Sequence, residues 1–301
     1  MGRWPVGPIP SATAPGAGCF SCVVDDHPRF QLEALRWFTS LTELAGVEPT
    51  DLVVHVVGLT STEALGYLGA RGVTIRGVDR FDSRSPHCNK VAAALALAKA
   101  GVDGVAVLSD TDVAFLEDPR RLGVPDGAVA GKPVDAPVPP VEVVEAIFDA
   151  AQLPRPSRVP LPWGEGQSTV AGNFNGGLYL VPGDRLTRVA TVWARWARWL
   201  LDRAELLEEW TVYVDQVAMA LGLADAGLIA SPLDVRWNTP IHDASRIRAD
   251  APVPAMIHYH RQVDSQGQLT KTGVASIDRQ IDRINRVVEL TGLGMGVGSH
   301  G

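Results

Sequence analysis

Gly104-Val105-Ala106-Val107-Leu108-Ser109-Asp110-Thr111-Asp112 is the stretch that decides the fold. A short apolar run of strand length ends in two carboxylates one residue apart. Just upstream, Asn89 to Ala100 is alanine-rich and strongly helical, and Gly101 stops it. The unit is helix, short turn, apolar strand, acidic turn.

The same logic repeats toward the N-terminus. Phe20-Ser21-Cys22-Val23-Val24 is a strand that delivers Asp25-Asp26-His27-Pro28 to a loop. Phe30 to Leu44 follows with helical spacing, with Phe30, Leu35, Phe38 and Leu41 on one stripe. The β-branched run Leu52 to Val57 ends at Gly58 and predicts a second buried strand. Thr62 to Ala70 reads as a helix closed by Gly72, and Val73 to Val78 as a third strand. Alternating strands and helices predict an α/β fold, a mostly parallel central sheet flanked by helices. Ligands of such sheets bind beyond the carboxyl ends of the strands. Both acidic clusters fall at such ends.

Downstream the texture changes. Between 119 and 168 prolines recur at ten positions from Pro119 to Pro162, interrupted by one helix, Val141 to Ala151. The stretch reads as an irregular excursion, a lid or acceptor-side loop. Asn173 to Val181 returns to strand. A long helix is expected over about Leu186 to Trp210, another from Tyr213 to Leu221, a late strand over Ala255 to His260 and a final helix over Ile277 to Leu290. One domain over 19–290, with arms at 1–18 and 291–301, accommodates all of this. The four prolines of residues 1–18 leave no continuous apolar run, so no secretory signal is expected there.

Composition sets limits. The chain has 301 residues, 46% apolar and 20% charged, as expected of a soluble globular protein. A net charge of −7 argues against a nucleic-acid partner. An anionic substrate is still compatible, because a bound cation reverses the local sign. Three cysteines do not make a disulfide framework, and a reducing cytoplasm is the simplest home. Cys19 and Cys22 have C-x-x-C spacing, but three residues apart on a strand they point to opposite faces. No apolar stretch approaches the roughly 20 residues that span a bilayer.

Two carboxylates on a turn leaving a strand can reach one hard cation. Mn²⁺ or Mg²⁺ prefers oxygen ligands and keeps positions open for phosphate oxygens. Such a cation bridges a diphosphate and stabilises the charge that grows on it as it departs. The bland alternatives are a solvated acidic turn here and, for Asp25-Asp26, a helix cap ahead of Pro28.

Four elements in order tie the chain to a known family. The stretch Asn89 to Asp112 resembles the core of the glycogenin-like and lipopolysaccharide-galactosyltransferase glycosyltransferases. Asn173-Phe174-Asn175-Gly176-Gly177 resembles that family's F-N-S-G segment, with Gly176 in place of serine. Asp215-Gln216 is similar to its D-Q element, and Ile257-His258-Tyr259 to its late H-Y element. The resemblance covers about residues 19–272. It implies a GT-A-type fold and transfer of a hexose from a nucleoside-diphosphate sugar, UDP by default, to a hydroxyl of a carbohydrate, lipid or small molecule. It also implies retention of anomeric configuration.

The resemblance assigns roles residue by residue. Val23, Val24, Asp25 and Asp26 would bind base and ribose, and Asn89 and Lys90 would place polar groups near the nucleoside. Asp110 would be shared between ribose and metal, Asp112 would be a direct metal ligand and His258 the third, with His260 its rival on the same face. Asn175 and Gly176 would face donor sugar or acceptor. Asp215 would bind sugar hydroxyls, and Gln216 would lie under the anomeric carbon. The family's diphosphate lysine would be Lys271, with Arg261 as rival. An inverting enzyme would need a carboxylate base, for which Glu165 and Asp215 are candidates.

Two other functions compete. A non-catalytic sugar-nucleotide-binding protein could keep the fold. A haloacid-dehalogenase-type phosphotransferase also places D-x-D after a strand, but on the first strand, whereas here it is followed by Val113-Ala114-Phe115 a third of the way along.

Overall fold

The structure, a computed structural model, describes residues 17–58, 62–243, 247 and 250–290. The expected tail and all but the end of the expected N-terminal arm lie outside these residues.

The N-terminal half follows the predicted alternation. It runs β1 (Gly18–Val24), α1 (Pro28–Glu43), β2 (Leu52–Val57), α2 (Glu63–Ala70), β3 (Thr74–Val78), α3 (Asn89–Ala100) and β4 (Val105–Ser109). β1 starts at Gly18, inside the stretch read as an arm, because its backbone passes very close to β4. A Cβ at Gly18 would stand 2.0 Å from the Val105 carbonyl oxygen. The chain continues through β5 (Val113–Phe115), β6 (Ala128–Pro133), α4 (Val141–Ala150), β7 (Arg158–Pro160), β8 (Ser168–Val170) and β9 (Phe174–Pro182). It then forms α5 (Gly183–Leu201), α6 (Val214–Asp225), β10 (Ile229–Pro232), β11 (Trp237–Pro240), β12 (Met256–His258) and α7 (Ala275–Leu290).

The main sheet has the order β10-β6-β9-β4-β1-β2-β3. All its neighbours are parallel except β9, which runs antiparallel to β4 and β6. Successive residues of its strands feed opposite cores. Cys19, Val53 and Ala106 pack toward α3, α5 and α6, whereas Phe20, Cys22, Val54 and Val107 pack toward α1 and α2. The two C-x-x-C sulfurs thus lie in different cores, and burial pushes the Cys19 thiol up to about 12. Of Val189, Val192, Trp193, Trp196, Trp199 and Leu200, whose helical spacing predicts a packed core face, Val189, Trp193, Trp196 and Leu200 are buried in it and Val192 and Trp199 pack against it partly exposed.

Two expectations change. Residues 128–133 are not irregular: they form a fully buried strand inside the main sheet. The surrounding prolines hide it, and Pro133 itself ends it. The helix expected to reach Trp210 stops at Leu201. A tighter helical stretch follows over Ala204–Tyr213, broken where Glu208 adopts φ +50°.

A second, three-stranded sheet, β11-β12-β5, sets the site. β5 follows Asp112 directly and pairs antiparallel with β12, matching Val113 with His258. The Tyr259 N–H donates to the Asp112 carbonyl at 3.0 Å. The D-x-D turn therefore bridges the two sheets, and the late strand is zipped to it by backbone bonds.

Candidate active site

The turn after β4 is held from below by buried side chains. The Trp37 indole N–H donates to Ser109 Oγ at 2.9 Å. The Thr111 hydroxyl donates to Glu33 Oε2 at 2.7 Å, and the Tyr259 hydroxyl reaches the Thr111 carbonyl at 3.5 Å. Thr111 thus points inward, and its two flanking aspartates face a cleft of about 580 Å³.

Asp110, Asp112 and His258 each offer one ligand atom, all within 4.8 Å of one another. Among the described residues they are the only such group. His258 Nε2 lies 3.3 Å from Asp112 Oδ1, and its Nδ1 lies 3.0 Å from Asn238 Oδ1. Burial raises the Asp112 pKa, but the His258 imidazole outweighs it and holds the carboxyl at about 2. Burial disfavours charged His258, and Asp112 in turn outweighs that, so the imidazole stands above its ordinary value. His260 is not in this group. It takes φ +50° and stacks on His258 with ring centroids 3.9 Å apart, and His242 packs against it at a steep ring angle with centroids 4.0 Å apart. Two carboxylate oxygens and one imidazole nitrogen, open to a cleft, are a donor set suited to a divalent cation with positions left for phosphate oxygens.

Lys90 is the second centre. Its Nζ lies 2.7 Å from Asp110 Oδ1 and 3.1 Å from Asp215 Oδ2, with the Gly176 carbonyl at 3.4 Å. Burial disfavours its charge, yet the two carboxylates hold its pKa well above the usual value. Asp215 opens α6 and is almost fully buried. The Trp193 indole fixes that end of the helix by donating to the Asp215 carbonyl at 2.7 Å. Gln216 also lines the cleft. A Cβ at Gly176 would stand 2.7 Å from Lys90 Nζ, and one at Gly177 would stand 2.6 Å from His258 Nδ1. The pair is a close backbone passage between the two centres.

At the end of β1, Asp25 does not cap α1. His27 does, its Nδ1 accepting from Arg29 N at 3.1 Å. Asp25 instead accepts a forked pair from Arg80 at 2.9 and 3.2 Å, and the Asn89 amide at 2.8 Å. Val23, Asp25, Asn89, Asn175 and Gly176 all line the cleft. Val24 is completely buried in the core, and Asp26 is exposed and outside the lining; a strand's alternation sends Val23 and Val24 to opposite sides.

Lys271 is not brought to the cleft. It is exposed and pairs with Asp282 of α7 at 3.0 Å, because the loop after β12 carries it onto that helix. Arg261, together with Arg29, lines the cleft in its place. Glu165 also lies outside the lining, so of the two base candidates only Asp215 faces the cleft.

Sequence reasoning missed several contributors. Asp135 lines the cleft, is paired with the fully buried Lys132, and accepts the Asn175 amide at 2.9 Å. Glu33 is buried under the turn, where burial first and Asp112 second push its carboxyl up to about 7. Asn238 is wholly buried against His258. Asp135 and Asn238 stand in no patterned segment, and Glu33 lies in the helical run Phe30 to Leu44 with nothing to mark it. The one available signal was Lys132 inside an otherwise apolar run.

Comparison with known proteins agrees with this geometry. Residues 21–227 match the Rhodobacterales glycosyltransferase domain. No curated protein sequence matches the chain. Among solved structures, the galactosyltransferase LgtC in complex with donor and acceptor sugar analogs superposes with TM-score 0.50 at 15% identity, covering 90% of this chain and 95% of that one. An active-site mutant of LgtC gives TM-score 0.53 at 16% identity, covering 93% and 97%. The apo form of the glycosyltransferase GlyE of Streptococcus pneumoniae TIGR4 gives 0.52 at 14%, covering 94% of this chain and 66% of that one. These likenesses carry the fold, which is that of the GT-A glycosyltransferases. Among the described residues no helix is long and apolar enough to cross a membrane. With its sheet order, its D-x-D turn and a family match spanning most of its length, the chain belongs to the Rhodobacterales glycosyltransferase domain family.

Proposed function

We propose that the protein transfers a hexose from a nucleoside-diphosphate sugar, UDP-linked by default, to a hydroxyl of a carbohydrate, lipid or small-molecule acceptor in the cytoplasm. The reaction would use Mn²⁺ or Mg²⁺ and retain anomeric configuration. The observation that carries this reading is the convergence of Asp110, Asp112 and His258, from distant parts of the chain, on one edge of a cleft that also holds Lys90, Asp215 and Gln216.

Asp110, Asp112 and His258 would hold the cation, whose chemistry is to neutralise charge on the departing diphosphate. The mixed oxygen and nitrogen donors favour Mn²⁺ over Mg²⁺. Asp25 and Asn89 would meet the nucleoside, with Val23 as the apolar side of its seat. Arg261 and Arg29 are the cleft cations for the phosphates, in the role first expected of Lys271. Lys90 would keep Asp110 ionised and hold Asp215 in place, leaving Asp215 to bind sugar hydroxyls. The Gln216 amide oxygen would stabilise positive charge at the anomeric carbon. Asp215 is committed to Lys90. With retention no strong general base is needed, because the leaving phosphate can take the acceptor's proton.

Thermal unfolding with UDP and Mn²⁺, with and without EDTA, tests the reading. UDP should raise the melting temperature only with Mn²⁺, and EDTA should abolish the shift. Slow hydrolysis across a set of nucleotide sugars should then name the donor. An unmoved melting temperature would refute the cation-dependent reading, and nucleotide binding without any hydrolysis would indicate a silent binder.

A further inference from the structure

A single hydrogen-bonded chain runs from a buried lysine to the imidazole at the cation site, crossing from the main sheet to the small one. It begins at Lys132 on β6, whose ammonium pairs with Asp135. The other Asp135 oxygen accepts the Asn175 Nδ2–H at 2.9 Å. Asn175 Oδ1 accepts the backbone N–H of Gly177 at 3.0 Å and Asn238 Nδ2–H at 3.1 Å. Asn238 Oδ1 faces His258 Nδ1 at 3.0 Å. Lys132 and Asn238 are fully buried, and His258 nearly so.

The direction of every bond follows from one fixed point. A backbone N–H can only donate, so the Asn175 atom it meets is the oxygen. The Asn175 nitrogen must then face Asp135, and Asn238 must present its nitrogen to Asn175. That leaves the Asn238 oxygen toward His258, where it can only accept. The proton on that side of the ring therefore sits on Nδ1.

We propose that Asn238, Asn175 and Asp135, anchored by Lys132, form a relay that holds His258 as the Nδ1–H tautomer and so offers its bare Nε2 to the cation. These are positioning residues. They act through His258 as an outer carboxylate does on a metal-bound histidine, with two amides interposed. Gly177 belongs to the arrangement, because a side chain there would collide with His258 Nδ1 at 2.6 Å and Asn238 Nδ2 at 3.0 Å. The inference rests on the cation site of the proposed function.

The test is the affinity for Mn²⁺ alone, read as free ion by electron paramagnetic resonance, in the full-length protein. Asn238→Leu keeps the branched shape and removes the acceptor, and should weaken Mn²⁺ about 10- to 100-fold. Asn238→Asp restores an acceptor for Nδ1–H and should recover most of that loss. Aspartate is nearly isosteric with asparagine, so Asp135→Asn, which keeps shape and does not touch His258, separates the relay from packing: a role of Asn238 in packing alone would leave the Mn²⁺ affinity of that variant at the wild-type value. Wild-type affinity in Asn238→Leu, or failure of Asn238→Asp to improve on it, overturns the relay while leaving the cation site intact. Should Asn238→Leu not fold, Asp135→Asn decides: weaker Mn²⁺ binding supports the relay, and wild-type binding overturns it. A wild-type protein that leaves Mn²⁺ free refutes the cation site, and the relay with it.

Discussion

The carboxyl ends of β1 and β4 carry the same sequence device, an apolar strand running into acids, yet they finish in different electrostatic states. At the end of β1, the Arg80 fork and the Asn89 amide satisfy Asp25, and Asp26 faces solvent. At the end of β4, Asp110 pairs with Lys90 and Asp112 with one His258 nitrogen, with the buried Glu33 and Asp215 close by. The first cluster is closed by its own chain. The second keeps a surplus of negative charge aimed at a cleft. Acids at a strand tip therefore do not by themselves define a cation site; what the facing elements bring to them does.

The strongest way to break this comparison is Asp112→Ala. It should abolish Mn²⁺-dependent stabilisation by UDP, a loss beyond the roughly 10- to 100-fold that outer partners of a metal ligand cost. Retained Mn²⁺-dependent binding would place the two strand ends on an equal footing.

Glu33 sharpens the contrast through pH. In the metal-free protein its carboxyl is raised from an ordinary 4.5 to about 7. Below 4.5 both folded and unfolded forms are protonated. Between 4.5 and 7 the folded form keeps a proton that the unfolded form has lost, so stability falls as pH rises, and the loss is complete above 7. About 3 kcal/mol is at stake, at 1.36 kcal/mol per unit. Glu33→Gln still accepts from Thr111 and removes the charge. It should flatten this fall in urea unfolding with EDTA between pH 4.5 and 8. An unchanged pH profile would mean that the surplus charge at β4 is relieved elsewhere.

The smallest effect belongs to the closed end. Arg80 is 41% exposed in its pair with Asp25, so Arg80→Ala should cost no more than about 1 kcal/mol in denaturant unfolding. A larger cost would mean that the fork does more than neutralise Asp25.

Much of this was legible in the sequence because local patterns coincide with the elements that carry the site. The apolar run before Asp110 and the alanine-rich helix opening at Asn89 predicted the fold, and the family resemblance of the Asn175, Asp215 and His258 segments implied which residues meet. What was illegible lies in long-range pairing. Lys132 and Asp135 sit in a proline-rich stretch that masks a buried strand. Glu33 looks like any helix glutamate until α1 packs under the D-x-D turn. Lys271 was expected at the phosphates by its position after His258, but the loop's path carries it to Asp282.

The pairing of Val113 with His258 has one more consequence. The imidazole reaches the aspartates through a ladder rather than through the length of chain that separates them. The length of chain between Phe115 and Met256 therefore does not by itself set that reach, although the span also carries Asp135, Asp215 and Gln216 of the site. A single residue inserted into the pairing of β12 with β5 would instead turn His258 to the other face and present a neighbour in its stead. For anyone regrafting this scaffold, the three paired residues of the late strand are the part whose register must be kept.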